Sequence, residues 1–206
     1  EIALCILSAI NVGIVKLDEI EHLCDLSVRA LDELIDYQEY PVKAAEISTI
    51  KRRSLGIGYI GLAHYLAKNK AEYGSEESLN LVHELTEEFQ YSLIKASVQV
   101  AKEKGKNDWH HKTKYAKGIL PIDTYKKDVD DLVNIKYKKD WEALRGEVLE
   151  HGMRHSTLSA QMPSESSSVV SNATNGIEPP RDHLSVKKSK KGTLKQVVPQ
   201  YTQLKN

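Results

Sequence analysis

Residues 2–15 read IALCILSAINVGIV, and the placement of this stretch decides the fold. It is nearly all apolar, yet about 14 such residues fall short of the roughly 20 that a helix needs to cross a bilayer. Nor does it read as a secretory leader, because Glu1 stands where a basic flank would be needed and no initiator Met precedes it. It reads as a buried strand or strand pair, turning near Asn11-Val12-Gly13. A chain that opens inside a core element reads as a piece of something longer.

The pattern outward from that strand is helix-rich. From Leu17 to Tyr37, residues Ile20, Leu23, Cys24, Ser27, Leu31, Leu34 and Ile35 recur at three- and four-residue steps, the stripe of an amphipathic helix. Pro41 ends it, and the stretch through Lys51-Arg52-Arg53 reads as a loop or short helix start. Residues 56–68 read as a helix rich in small residues. A long helix follows from Glu76 to Lys104, with Leu81, Leu85, Phe89, Leu93, Ala96 and Val100 on its buried side and Gly105 as C-cap. Asn107 to Lys127 reads as loop, and Lys139 to His151 as a further helix stopped by Gly152. Thr157 to Met162 then reads as a short strand, followed by turns. His183–Lys188 and Thr193–Val198 pair as a hairpin around a Lys-Lys-Gly tip. No repeat or linker divides the chain, which is taken as one α/β unit over 1–206.

Composition excludes several functions. Among 206 residues, Lys plus Arg and Asp plus Glu are 29 each, for a formal charge of zero. That gives no global field toward nucleic acid or a membrane surface. The local cluster Lys187, Lys188, Lys190 and Lys191 reads as a solvated hairpin tip. Two cysteines, Cys5 and Cys24, are too few for a disulfide framework or a four-thiolate zinc site, so a reducing, cytoplasmic setting is the expectation.

Four motifs invite chemistry. Gly56-Ile57-Gly58-Tyr59-Ile60-Gly61 matches a dinucleotide-binding fingerprint, but Ile50-Lys51-Arg52-Arg53-Ser54-Leu55 before it is no apolar strand, so close helix packing is the expected role of its glycines. His110-His111 lacks a further ligand at useful spacing and reads as a surface loop; no metal site is expected. Pro163-Ser164-Glu165-Ser166-Ser167-Ser168 leaves a strand and enters a helix, which suits either a phosphate or an ordinary N-cap. Cys24 lies on an apolar helix stripe and reads as a core residue, whereas Cys5 in its strand is structural or redox-active.

Longer stretches bear on that choice. Met153-Arg154-His155-Ser156-Thr157-Leu158-Ser159-Ala160-Gln161-Met162 with Pro163–Ser168, and Ser171-Asn172-Ala173-Thr174-Asn175-Gly176-Ile177-Glu178-Pro179-Pro180, resemble the large subunit of class I ribonucleotide reductases. So do Glu1–Cys5 with Leu7-Ser8-Ala9, Tyr115–Lys127, and Gln196-Val197-Val198-Pro199, in a bacterial and phage-like form. The likeness spans essentially the whole chain in order. The Tyr115–Lys127 stretch leans toward class I rather than toward the cobalamin-dependent branch.

The resemblance implies a ten-stranded α/β barrel made of two antiparallel five-stranded halves, with a finger loop carrying a radical cysteine through its centre. This chain would supply most of the second half, beginning after the finger loop and stopping before the C-terminal tail, and would be incomplete and aggregation-prone alone. Cys5 matches one member of the cysteine pair that reduces the ribose and ends as a disulfide, its partner lying in the N-terminal half. Pro163, Ser164, Glu165, Ser166 and Ser167 match the loop that binds the substrate diphosphate, Ser166 standing where relatives often have threonine and Glu165 expected to turn its carboxylate away. The implied partners are the N-terminal half of the large subunit, a ribonucleoside diphosphate, thioredoxin or glutaredoxin, and a radical-generating small subunit. That small subunit, and not this chain, would hold the radical cofactor, a dinuclear metal. The rival reading is a non-catalytic scaffold derived from the same barrel, which would need neither Cys5 nor the Pro163–Ser167 loop.

Overall fold

A computed structural model describes residues 1–134, 136–189 and 192–204. Strand β1 (Ile6–Asn11) is followed by a 3-10 turn and helices α1 (Ile20–Tyr37) and α2 (Lys43–Arg52). Then come β2 (Leu55–Ile60), α3 (Leu62–Lys68) and the 29-residue α4 (Glu76–Lys104). The chain continues through 3-10 turns to the short α5 (Pro121–Thr124), then α6 (Trp141–His151), α7 (Glu165–Val170), a hairpin of β3 (Leu184–Ser189) and β4 (Gly192–Val197), and α8 (Tyr201–Leu204).

β1 and β2 run parallel, with Ile6 opposite Leu55 and Asn11 opposite Ile60. On the other edge of β2, residues 157–160 lie extended and parallel. Leu55 N donates to Thr157 O (3.0 Å), Ile57 N to Leu158 O (2.7 Å) and Ala160 N to Ile57 O (3.1 Å), with a bridge between Ile57 and Ser159. The strand expected over Thr157–Met162 is thus a pairing segment that forms one bridge. β2 is central and buried along its whole length.

Side chains alternate across a strand, and the two faces differ here. Ile10, Leu55, Ile57 and Tyr59 pack with Cys24, Val28 and Ile35 of α1 and with Leu85, Phe89 and Leu93 of α4 in one apolar core. α1 follows its stripe with one exchange: Val28 is fully buried, whereas Leu34 is 45% exposed. Ser75 caps α4, its hydroxyl accepting from Ser78 N at 3.1 Å, and Gly105 (φ 85°) ends it with its N–H on Ala101 O. Asp140 caps α6 through Ala143 N, and Gly152 ends it.

Two expectations are corrected. Residues 56–68 are not one helix but β2 and α3. Leu55, Ile57 and Tyr59 face the core at period two, while Gly56 and Gly58 lie where neighbouring chain leaves no room for a side chain. The polar-basic stretch before it is helix α2, closed by Arg53 in the left-handed region (φ 49°). The described residues combine helices with two two-stranded sheets, and they form no closed barrel. The antiparallel β3–β4 hairpin forms as expected, but Lys190 and Lys191 of its basic tip lie outside the described residues.

Candidate active site

The sheet face turned away from α1 and α4 carries the candidate chemistry. A Cβ placed on Gly56 would lie 2.6 Å from Leu7 Cδ2, 2.8 Å from Cys5 Sγ and 3.2 Å from Ala160 Cβ. Placed on Gly58, it would lie 2.2 Å from Ala160 O and 2.9 Å from Met162 Cε. The bare glycine strip of β2 therefore has the Cys5 thiol on one side and, on the other, the segment that runs through Met162 into Pro163. Two of the fingerprint's glycines are explained by this close approach. The third, Gly61 (φ 83°), precedes α3, and a Cβ there would meet Asn11 Oδ1 at 2.5 Å.

Cys5 is solvent-exposed and free, just before β1, and partial burial pushes its thiol above the usual value. Leu4 and Leu7 beside it are 38% and 50% exposed. Cys24 differs from it in exposure. It is fully buried in the core, and desolvation, with help from Glu88 and Glu21, raises its thiol to about 12. The core role expected for Cys24 matches this position.

From Pro163 the chain turns into α7. The first intrahelical bond is Ser168 N to Ser164 O (2.8 Å), so the amides of Ser166 and Ser167 have no carbonyl four residues back within the helix. Pro163, Glu165, Ser166 and Ser167 are exposed, and Ser164 is buried. The hydroxyls divide unevenly. Ser164 Oγ donates to Asn175 Oδ1 (2.8 Å), Ser167 Oγ to Ser164 O (3.1 Å), Ser168 Oγ to Glu165 O (3.1 Å) and Ser171 Oγ to Ser167 O (2.7 Å). The Ser166 side chain is thus the loop serine left facing solvent.

A second polar cluster escaped the sequence reading. Asp32 lies fully buried among the apolar residues of α1 and accepts from Arg53 Nε (2.5 Å), Arg154 Nε (3.2 Å) and His155 Nε2 (3.1 Å). His155 Nδ1 faces Ser97 Oγ at 2.9 Å. Burial alone would raise the Asp32 carboxyl, but hydrogen bonds from His155 and Arg53 hold it far below the usual range. Burial keeps His155 below its ordinary value despite the carboxylate beside it. Ser97, His155 and Asp32 have the order of a hydrolytic triad, but all three are fully buried, so no substrate reaches them. The cluster instead ties α1, α4 and the end of α2 to the segment that leads into the sheet. An aspartate at a buried turn of an apolar stripe was the available signal.

His110, expected in a surface loop, is buried, and its Nδ1 accepts from Met153 N at 3.4 Å; His111 alone is exposed. Among the described residues, no three His, Cys, Asp or Glu side chains are grouped to hold a metal ion. No described helix is long and apolar enough to cross a membrane.

Known proteins place these features in context. A family model described as the ribonucleotide reductase barrel domain matches residues 1–206. The chain is 56% identical over 206 residues to the ribonucleoside-diphosphate reductase subunit alpha of Buchnera aphidicola from Acyrthosiphon pisum, covering 100% of this chain and 27% of that protein. To the protein of the same description from Haemophilus influenzae it is 58% identical over 205 residues, 99% of this chain and 27% of the other. To that of Enterobacteria phage T4 it is 52% identical over 202 residues, 97% and 26% respectively. The chain spans 27% of the length of the first two relatives.

Proposed function

The chain belongs to the ribonucleotide reductase barrel-domain family, and from that premise we propose that it forms the second half of a ten-stranded barrel that reduces ribonucleoside diphosphates. The open sheet face is the barrel interior, and the face packed on α1 and α4 is the outside. The N-terminal half of the large subunit completes the barrel and brings the finger-loop cysteine. A small subunit with a dinuclear metal centre supplies the one-electron chemistry that starts the reaction.

This chain's own part is to hold the substrate and to provide one of two reducing thiols. Cys5 and a cysteine of the N-terminal half together give two electrons and two protons. The ribose 2′ hydroxyl leaves as water, and the two sulfurs join as a disulfide. Thioredoxin or glutaredoxin then reduces that disulfide. The Pro163–Ser167 loop receives the diphosphate through N–H groups at the start of α7 and the Ser166 hydroxyl, a donor set that suits an anion. The cytoplasm is the compartment in which such a thiol pair is kept reduced.

The observation that carries this reading is the glycine strip of β2, which lets the Cys5 sulfur and the segment leading to the serine loop approach it from its two sides on the face away from α1 and α4. The test is the complete large subunit with its small subunit, assayed for deoxyribonucleoside diphosphate with an external dithiol. Cys5→Ser should reduce output to a single turnover or less, with nucleotide binding retained. Sustained turnover by Cys5→Ser would remove Cys5 from the reaction, whereas no activity with either form would favour the scaffold reading.

A further inference from the structure

Resting on the diphosphate assignment above, we infer that Asn175 is a positioning residue for substrate binding, a latch that fixes the serine loop from outside it. Ser164 is 3% exposed, and its hydroxyl donates to Asn175 Oδ1 at 2.8 Å. That hydroxyl is therefore committed within the protein, and Ser164 serves the loop as an anchor rather than as a phosphate donor.

The latch works because the turn that bears Asn175 is itself fastened to the sheet. Gly61 N, at the end of β2, donates to Thr174 O at 3.0 Å, and Leu62 N donates to Gly176 O at 3.4 Å. Glu178 N closes the turn on Asn175 O at 3.2 Å, and Ala173 N returns to Ser168 O at 2.8 Å. Gln196 Nε2 of β4 holds Ala173 O at 3.2 Å. Gly176 takes φ 50°, and a Cβ there would approach Ser164 Oγ to 3.6 Å, so the turn runs close against the anchored serine. A continuous line of bonds thus runs from the end of β2, through the Thr174–Gly176 turn and the Asn175 side chain, to the start of α7. Fixing the first turn of α7 relative to β2 fixes the distance between bound phosphates and the Cys5 face. Binding groups held in place before the ligand arrives avoid the cost of ordering them on binding.

The experiment uses the complete large subunit with its small subunit and compares Asn175→Ala, Ser164→Ala, the double variant and Ser166→Ala. KM for a ribonucleoside diphosphate and kcat are measured separately. Loss of one positioning hydrogen bond should raise KM by about threefold to tenfold in Asn175→Ala. Ser164→Ala should do the same, and the double variant should go no further, because both remove one bond. Partial unfolding lowers the active fraction, hence apparent kcat, and leaves KM in place. An unchanged KM in Asn175→Ala, or effects that multiply in the double variant, would overturn the latch while Ser166→Ala still raised KM. If Ser166→Ala also left KM unchanged, the diphosphate site would be misplaced and the latch would fall with it.

Discussion

At the scale of single residues, Gly56 and Gly58 matter for what they lack. The fingerprint that contains them was legible, but its glycines were expected to serve close helix packing, and Gly56 and Gly58 lie instead in a strand, against partners that were not visible. The contacts come from Cys5, Leu7, Ala160 and Met162, about 50 and 100 positions away in sequence. No local pattern reports such distances. The physics sets a contrast between two glycines. A methyl on Gly58 meets a backbone carbonyl at 2.2 Å, so something must shift. Gly58→Ala should therefore destabilise the complete protein by about 1–3 kcal/mol, as overpacking does. Gly146 lies inside α6 with nothing within 4 Å of an added Cβ. Gly146→Ala should stabilise by about 0.5–1 kcal/mol, the helix-propensity difference. Equilibrium denaturant unfolding checks both signs. A neutral Gly58→Ala would mean that the 157–162 segment does not press on β2.

Elements were readable where periodicity and caps agreed. α4 is bounded by Ser75 and Gly105 and carries a regular apolar face, so both its ends were legible. β2 was not, because two of its six residues are glycine and the buried side shows only Leu55, Ile57 and Tyr59. α2 was not, because its charged and small residues form no strong stripe and Arg53 ends it in a conformation that glycine or asparagine usually signals. The Asp32 cluster joins several of these elements, and its ionisation links their packing to pH. His155 is kept neutral in the fold, with its ordinary value of 6.5 lowered by burial while Asp32, Arg53 and Arg154 surround it. Between 6.5 and that lowered value the unfolded chain binds the proton and the folded chain does not. Stability should thus fall as pH drops below 6.5, and then level off below the folded value. Asp32 acts further down. Its depressed carboxyl contributes stability above 3.8 that is lost as pH falls through its folded value. Replacing His155 with Gln should flatten the slope just below 6.5, measured by unfolding at stepped pH. An unaltered slope there would assign it to other groups.

For the molecule as a whole, the division of the sheet into a packed face and an open one organises everything else. The helix stripes of the packed face were foreseen, but residues 2–15 were expected to be buried throughout, and Ile2, Leu4, Leu7 and Ile14 are exposed. The candidate site was legible at Cys5 and at the Pro163–Ser167 loop through residue types and the family likeness. The division of labour among the loop serines was not, since it depends on Asn175 and the end of β2. In the proposed reading the barrel closes only in the complete large subunit, and the face with Leu4, Leu7 and Cys5 is where its N-terminal half would seat.

The most direct measurement is thiol mapping after one round of chemistry. The complete large subunit, fully reduced, is mixed with its small subunit and a ribonucleoside diphosphate without external reductant, then alkylated and analysed by mass spectrometry. Cys5 should be found in a disulfide with a cysteine outside this chain, while Cys24 remains an unoxidised core thiol. Stoichiometric product formation with Cys5 still a free thiol would contradict this.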